Sequence, residues 1–327
     1  MATSIFNLVT ADAITAYWEQ VANALPPYLG EELFPEQKKL GLDLKWIKGS
    51  RGLPVVLAPS AYDVKARKRK RIGFDKLTAQ MPFFKEGYSI DEELRQQLNM
   101  VLETGNQTYI DSIMNQVFDD ETNLLQGARA QRERMRMMAL TTGAISISAN
   151  GQDYDYDYNF PNDHKSEVST SWSSASADIY GDIEAALDKI EDDTGVRPTR
   201  AVVSQKTWSY FRKNTNIRNA ILGNNSGVQV SDEKIHTYFM DELNIDIQKY
   251  TKKYKDESHT EHAFMPDDLF VAFPSGALGT GWFGTTPEES DLMSGTAANV
   301  SITDVGVAVT TVKETDPCRC CHTCGTR

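Results

Sequence analysis

The sequence predicts an α+β protein whose sheets are assembled from distant segments, and three observations carry that expectation. Apolar residues recur three or four apart, without a proline, from Gln107 to Thr142. Two alternating runs joined by Asn150-Gly151 follow at once, the signature of a hairpin. From Ala177 onward helical and strand patterns take turns, and beyond Phe264 short β runs are separated by glycine-rich stretches.

The elements follow in chain order. Thr10-Ala11-Asp12 can cap a helix with Ile14, Trp18, Val21 and Leu25 on one face, and Pro26-Pro27 ends it. Residues 29–40 run on with Pro35 and little periodicity, too few apolar groups for a core of their own. This opening arm therefore needs another surface, on this chain or a neighbour. Residues 41–90 read as a two-armed excursion: 42–47 partly alternates, 53–57 is a short apolar run, and 72–84 returns. Between the arms lie Lys65, Arg67, Lys68, Arg69, Lys70 and Arg71, six cations in a row broken only by Ala66. Arms of fifteen to twenty residues at about 3.3 Å each would carry such a tip on the order of 50 Å, and a lone two-stranded ribbon is marginal in water. A run of this kind is a solvated tip or meets an acidic surface on another subunit.

The helix from Gln107 carries Ile110, Ile113, Met114, Val117, Phe118, Leu124, Leu125, Ala128, Met135 and Met138 on its apolar positions, with Gly127 its weak point. Asp119, Asp120 and Glu121 lie in its first half, and Arg129, Arg132, Arg134 and Arg136 towards its end, where cations suit the helix dipole. Gly143 stops it. In the hairpin, Asp153, Asp155 and Asp157 alternate with Tyr154, Tyr156 and Tyr158. Carboxylates about 7 Å apart along one strand face are too linear for a calcium cage, so this is a strand with one wet face. A helix over 178–190 ending at Thr194-Gly195, a strand over 200–204, a helix over 205–214, a helix and strand over 235–250 and a charged loop at Asp256 and Glu257 come next. Strands at 268–273, 298–302 and 305–312 close the series.

Composition narrows the function. The 327 residues are 40% hydrophobic and 24% charged, enough for one large or two ordinary domains with a buried core. Lys and Arg number 34 against 46 Asp and Glu, a net charge of −12, which is ill suited to coating nucleic acid. No stretch has the 18 or so apolar residues of a membrane span, and the first dozen residues lack the features of a secretory signal. A soluble protein made in a reducing cytoplasm is the expectation. All four cysteines, Cys318, Cys320, Cys321 and Cys324, crowd around His322 in a short tail. Structural zinc draws ligands from separated pairs, so an adventitious tail is the better reading and no metal is expected.

No catalytic signature is present. His259 and His262 have helical spacing but lie in a charged loop without the zinc-protease order. There is no Walker loop, no dinucleotide fingerprint and no nucleophile elbow, and no cysteine lies before Cys318. No catalytic residue and no cofactor is expected.

In order along the chain, these parts resemble the tailed-phage major capsid proteins, and more narrowly the lambda-type capsid protein E family. The resemblance rests on the helix exit Arg132-Glu133-Arg134-Met135-Arg136-Met137-Met138-Ala139-Leu140-Thr141-Thr142-Gly143 with its hairpin, on Thr194-Gly195-Val196-Arg197-Pro198, on Phe264-Met265-Pro266-Asp267-Asp268 and on Lys313-Glu314-Thr315-Asp316-Pro317. It implies the HK97-type capsid fold: an N-terminal arm (1–40), an extended β-hairpin loop (41–90), a peripheral domain with a long spine helix (91–165), an axial α/β domain (166–263), and return strands with an atypical tail (264–327). It implies a homo-oligomer of hexamers and pentamers closing an icosahedral shell around double-stranded DNA, without sequence-specific binding and without a membrane. Portal, scaffold or protease, and decoration proteins would be its partners, the virion its place, and the bacterial host cytoplasm its origin. Relatives continue after Asp-Pro with an apolar strand; here a Cys-rich stretch follows, as a truncated or frame-shifted end would give, and one sheet is expected to lack a strand. The assembly contact expected is the basic run of residues 65–71 against Asp119, Asp120 and Glu121 of the next subunit. An encapsulin-like cellular shell would show a cargo-peptide site; a nucleic-acid module would retain DNA on a filter at moderate salt; a carboxylate enzyme would stay a small oligomer.

Overall fold

The computed structural model describes residues 9–41, 43–48, 75–90, 92–93, 96–97, 99–100, 107–149, 151–223, 228–295, 299–313 and 320–326. Two compact units divide it, one of Met1–Leu44, Thr78–Arg134 and Gly279–Arg327, the other of Lys45–Leu77 and Met135–Leu278. The run of residues 65–71 lies outside the described residues, as do 53–57 and Cys318.

The first unit is built on α3 (Gln107–Thr142), whose 36 residues make about 54 Å of helix. Helix α1 (Ala11–Ala24) begins where its cap predicts, the Thr10 hydroxyl accepting from the Ala13 N–H at 3.2 Å, and stops at Leu25 ahead of the prolines. Ile14 and Trp18 are buried with Met114, Val117 and Leu125 of α3 and with Val307 and Val309. The arm thus finds the surface it needs on its own chain. A short helix α2 (Leu29–Leu33) leads into β1 (Glu36–Lys38), which pairs in parallel with β12 (Gly281–Phe283), Gln37 opposite Trp282. Gly284 follows where a Cβ would come within 2.8 Å of the Gly41 carbonyl oxygen, so only glycine lets the two backbones approach. Strands β2 (Asp43–Lys48) and β3 (Asp75–Gln80) pair as a two-stranded ribbon.

A four-stranded sheet has the order β13 (Val300–Asp304), β14 (Val307–Lys313), β15 (Cys320–Thr326), β4 (Phe84–Ile90), antiparallel throughout. Here an expectation is corrected. The Cys-rich tail does not leave a sheet incomplete: its backbone is a strand, paired from Cys320 to Thr326 with β14 on one side and β4 on the other. An extended backbone can fill a ladder whatever its side chains, since the ladder bonds N–H to C=O. Helix α8 (Pro287–Ser294), absent from the sequence reading, sits between β12 and β13, capped by Thr286 and opened by proline.

In the second unit the hairpin of β5 (Ala144–Ala149) and β6 (Gln152–Asp157) follows the long helix as predicted. Gly143 ends the helix at φ +74°, and a Cβ there would lie 2.6 Å from the Phe160 ring. The rest is an α/β layer. Strand β7 (Arg200–Val203) pairs in parallel with β8 (Asp246–Lys249) and antiparallel with β11 (Phe270–Phe273). Helices α4 (Ile179–Thr194), α5 (Gln205–Lys213), α6 (Thr215–Leu222) and α7 (Asp232–Leu243) pack around Trp208, Phe211, Phe239, Leu187 and Ile247. Asn214 ends α5 and caps α6, its side chain accepting from Ile217 N–H at 3.0 Å. The charged loop near Asp256 is a small hairpin of β9 (Lys253–Lys255) and β10 (Glu261–Ala263).

Candidate functional site

The long helix is where unlike segments of the first unit are fastened. Arg129 donates to both carboxylate oxygens of Glu31, at 2.6 and 3.0 Å, in the bidentate geometry that only arginine gives. Glu133, fully buried, accepts from the Gly30 N–H at 3.1 Å. Arg132 is buried beneath the Phe283 ring, 4.2 Å from its centroid, and donates to Glu36 at 3.1 and 3.2 Å, to Asp304 at 3.2 Å and to the Val305 carbonyl at 2.5 Å. One side chain therefore ties β1, β12 and the end of β13 to the helix. These arginines, which the helix dipole alone would explain, are interior fasteners.

A second fastener lies in the first turn of α8. Glu288 and Glu289 are both buried; Glu288 accepts from Lys85 on β4 at 2.8 Å, and Glu289 is ion-paired with Lys38 at the end of β1. Carboxylates suit a helix N-terminus, and here the same pair also holds the end of β1 and the start of β4.

The three acidic residues singled out on the helix take different positions. Asp119 is exposed and accepts from the Tyr17 hydroxyl at 2.8 Å, while the Tyr17 ring stacks on Phe118 at 5.4 Å. Asp120 is exposed and has no ion pair among the described residues. Glu121 is buried; desolvation, then the charge of Asp120, pushes its carboxyl up to about 7. Only Asp119 and Asp120 face solvent.

In the second unit the motif residues have local duties. Gly195 is the left-handed cap of α4, and Arg197 folds back onto Asp188 and Glu191 at 2.5 and 2.7 Å. Phe264 and Met265 are buried, while Asp267 accepts from Ser204 at 2.7 Å and Asp268 from Lys206 and Tyr210 at 2.8 and 2.6 Å, pinning the start of α5. Asp232 gathers Trp208 Nε1, Arg212 and Lys249, whose hydrogen bonds hold its carboxyl well below the usual range. His262 is bonded to Asp256 at 2.8 Å, which also accepts from Ser258 and Thr260, and His236 to Asp246 at 2.8 Å, which also accepts from Gln248. Among the described residues no group of three or more His, Cys, Asp or Glu could hold a metal, and no helix is long and apolar enough to cross a membrane.

A long helix leading into a hairpin, a β sheet built from chain-distant strands and a separate α/β unit define the HK97-type capsid fold. The chain belongs to the phage major capsid protein E family, whose sequence profile matches residues 10–316. Its structure is similar to that of the protein assigned as a prophage capsid protein in E. coli CFT073, with a TM-score of 0.60 and 14% identity over 97% of this chain and 94% of that one. It is also similar to a phage-related protein of Bordetella bronchiseptica RB50, with a TM-score of 0.51 and 12% identity over 97% and 91% of the two chains. No curated protein sequence matches it. The family's role is structural, and its place is the virion.

Proposed function

We propose that this chain is the subunit of a phage shell, assembling into hexamers and pentamers that close an icosahedral container around double-stranded DNA. The observation that carries the reading is family membership across residues 10–316. In this reading residues 1–40 are the N-terminal arm, 41–90 the extended loop, 91–165 the peripheral domain, 166–263 the axial domain at the capsomer centre and 264–327 the return strands. Portal, scaffold or protease, and decoration proteins meet the same shell, and the subunit is made in the host cytoplasm.

Assembly is driven by burying the extended loop on adjacent copies. Stable interfaces bury about 1,200–2,000 Å², which such an appendage can supply. The arm, already seated on its own chain through Ile14 and Trp18, has less left to offer. The net charge of −12 suits a lining that must not glue down the genome. The run of Lys65, Arg67, Lys68, Arg69, Lys70 and Arg71 meets carboxylates of the adjacent subunit, Asp119 and Asp120 being those on the long helix. Glu121 belongs to the interior in this scheme. Each exposed pair is worth about 0–1 kcal/mol, so the pairs set registry and association rate more than affinity.

Negative-stain microscopy of the expressed chain tests the reading, with closed shells expected. Reversing Arg67, Lys68, Arg69 and Lys70 to Glu is expected to block or mis-size them. Normal particles from that variant end the role of the run, and a monodisperse small oligomer from the unaltered chain ends the shell.

A further inference from the structure

The front of the long helix buries an acid on its apolar face. Val117, Glu121 and Leu125 stand four apart on α3, so they share one face, and all three are buried. Val117 and Leu125 belong to the core that Ile14 and Trp18 of α1 and Val307 and Val309 of β14 complete. Helix α1 is held across this stretch by the Tyr17 ring on Phe118 and the Tyr17 hydroxyl on Asp119. It reaches β13 through Thr15 and Thr303, whose hydroxyl oxygens lie 3.2 Å apart. Glu121, only 4% exposed, thus lies in the face that α1 covers.

No cation compensates a charge at that position. Among the described residues no hydrogen bond or ion pair reaches the Glu121 carboxyl. Helix α1 carries Asp12, Tyr17 and Glu19 but no Lys, Arg or His, and α3 has none of the three from Gln107 to Ala128. The charged neighbours on α3 are Asp119 and Asp120, and β13 ends at Asp304. The next cations along α3, Arg129 and Arg132, stand eight and eleven residues on, about 12 and 16 Å, and grip Glu31, Glu36 and Asp304. On β14, Lys313 stands four residues beyond Val309, about 13 Å along the strand. An ionised carboxyl in this face is a buried charge without a partner, whereas a protonated one is not. Burial, then the charge of Asp120, accordingly pushes the group from 4.5 up to about 7.

We propose that α1 is a latch under proton control: it stays seated on α3 while Glu121 holds its proton and lifts away when that proton is lost, opening the face to water. Below about 4.5 the carboxyl is protonated whether α1 is seated or lifted. Between about 4.5 and 7 lifting α1 releases a proton, so release gains up to about tenfold per pH unit, and above about 7 the gain is complete. Tyr17, held above its ordinary value by Asp119, keeps its proton throughout that range.

Hydrogen exchange read by mass spectrometry on the full chain tests this, with amide rates corrected for their intrinsic dependence on pH. In the unaltered chain the amides of α1 are expected to lose protection at least about tenfold between about pH 5 and about pH 8, while those of α4 in the other unit change less than about threefold. E121Q keeps the shape without the charge, and E121L removes the titrating group altogether. In both, α1 is expected to stay protected at either pH, and a variant that failed to fold would leave the other to decide. Unchanged protection of α1 in the unaltered chain overturns the proposal. The same loss in E121Q or E121L overturns it too, since another group then carries the switch. So does an equal loss in α4, which is unfolding of the whole chain and not release of the arm. Shell formation is not read, so the latch stands or falls apart from the proposed assembly.

Discussion

The α/β unit between Met135 and Leu278 draws its core from residues close in sequence, whereas the unit around the front of the long helix draws on three separated stretches. The first is filled by aromatic and branched side chains, Trp208, Phe211 and Phe239 at its centre. The second buries more charge: Glu121, Arg132, Glu133, Glu288 and Glu289, against Arg136 in the first among the described residues. Hydrophobic packing is tolerant of direction, but a buried ion pair is favourable only with its partners in place. The difference teaches that one unit is held by what its segments are, the other by how its segments meet.

The largest effect that sharpens this contrast comes from Phe239→Ala. Emptying that fully buried site should cost about 3–5 kcal/mol, enough to melt the α/β unit early in calorimetry. Near-ultraviolet signals from Trp18 should outlast those from Trp208. A single coincident transition would erase the distinction between the units.

Next is Arg132→Ala, which removes the hydrogen bonds to Glu36 and Asp304 and uncovers Phe283, at a cost of about 3 kcal/mol. Lysine should not rescue it, because it cannot reach both carboxylates and the ring. Limited proteolysis should then cut first between α2 and β2. If Lys restores protection, charge alone and not the fork is what matters.

The smallest effect separates the units by pH. The Glu121 carboxyl titrates at about 7 in the fold and near 4.5 when unfolded, so the fold prefers its proton. That contribution is full below about 4.5 and is lost as pH rises through 7. Glu121→Gln should therefore raise stability by about 2–3 kcal/mol at pH 8 and change little at pH 4. Asp232 has the opposite sign, being held below its ordinary value, so its contribution is present above about 4 and is lost as the solution becomes acidic. Parallel pH profiles for Glu121→Gln and Asp232→Asn would break the comparison.

The same contrast explains what could be read from sequence. Local rules carried α1 with its Thr10 cap, the long helix to Gly143, the hairpin and the Gly195 cap, because each is decided within a few residues. The parallel pair of Glu36 and Gly281, the α8 carboxylates beneath Lys38 and Lys85, and the β15 strand are decided by residues far apart, and no periodicity announces them. Helix α6 hid for another reason: one residue, Asn214, closes its predecessor and opens it. At the candidate site, charge signs were legible, but the helix pattern did not show that Glu121 turns inward. The Asp-Tyr alternation gave the wet face correctly.

The position of β15 has a temporal consequence. It lies between β4 and β14, yet the ribosome makes it after both. At about 5–20 residues per second, β4 waits roughly 10 to 50 s with an unsatisfied edge before its neighbour exists. Over that interval the α/β unit can finish folding, while an open edge in a crowded polysome invites pairing with another nascent chain. Late completion of that sheet would act as a clock, withholding the mature surface until synthesis has passed residue 326.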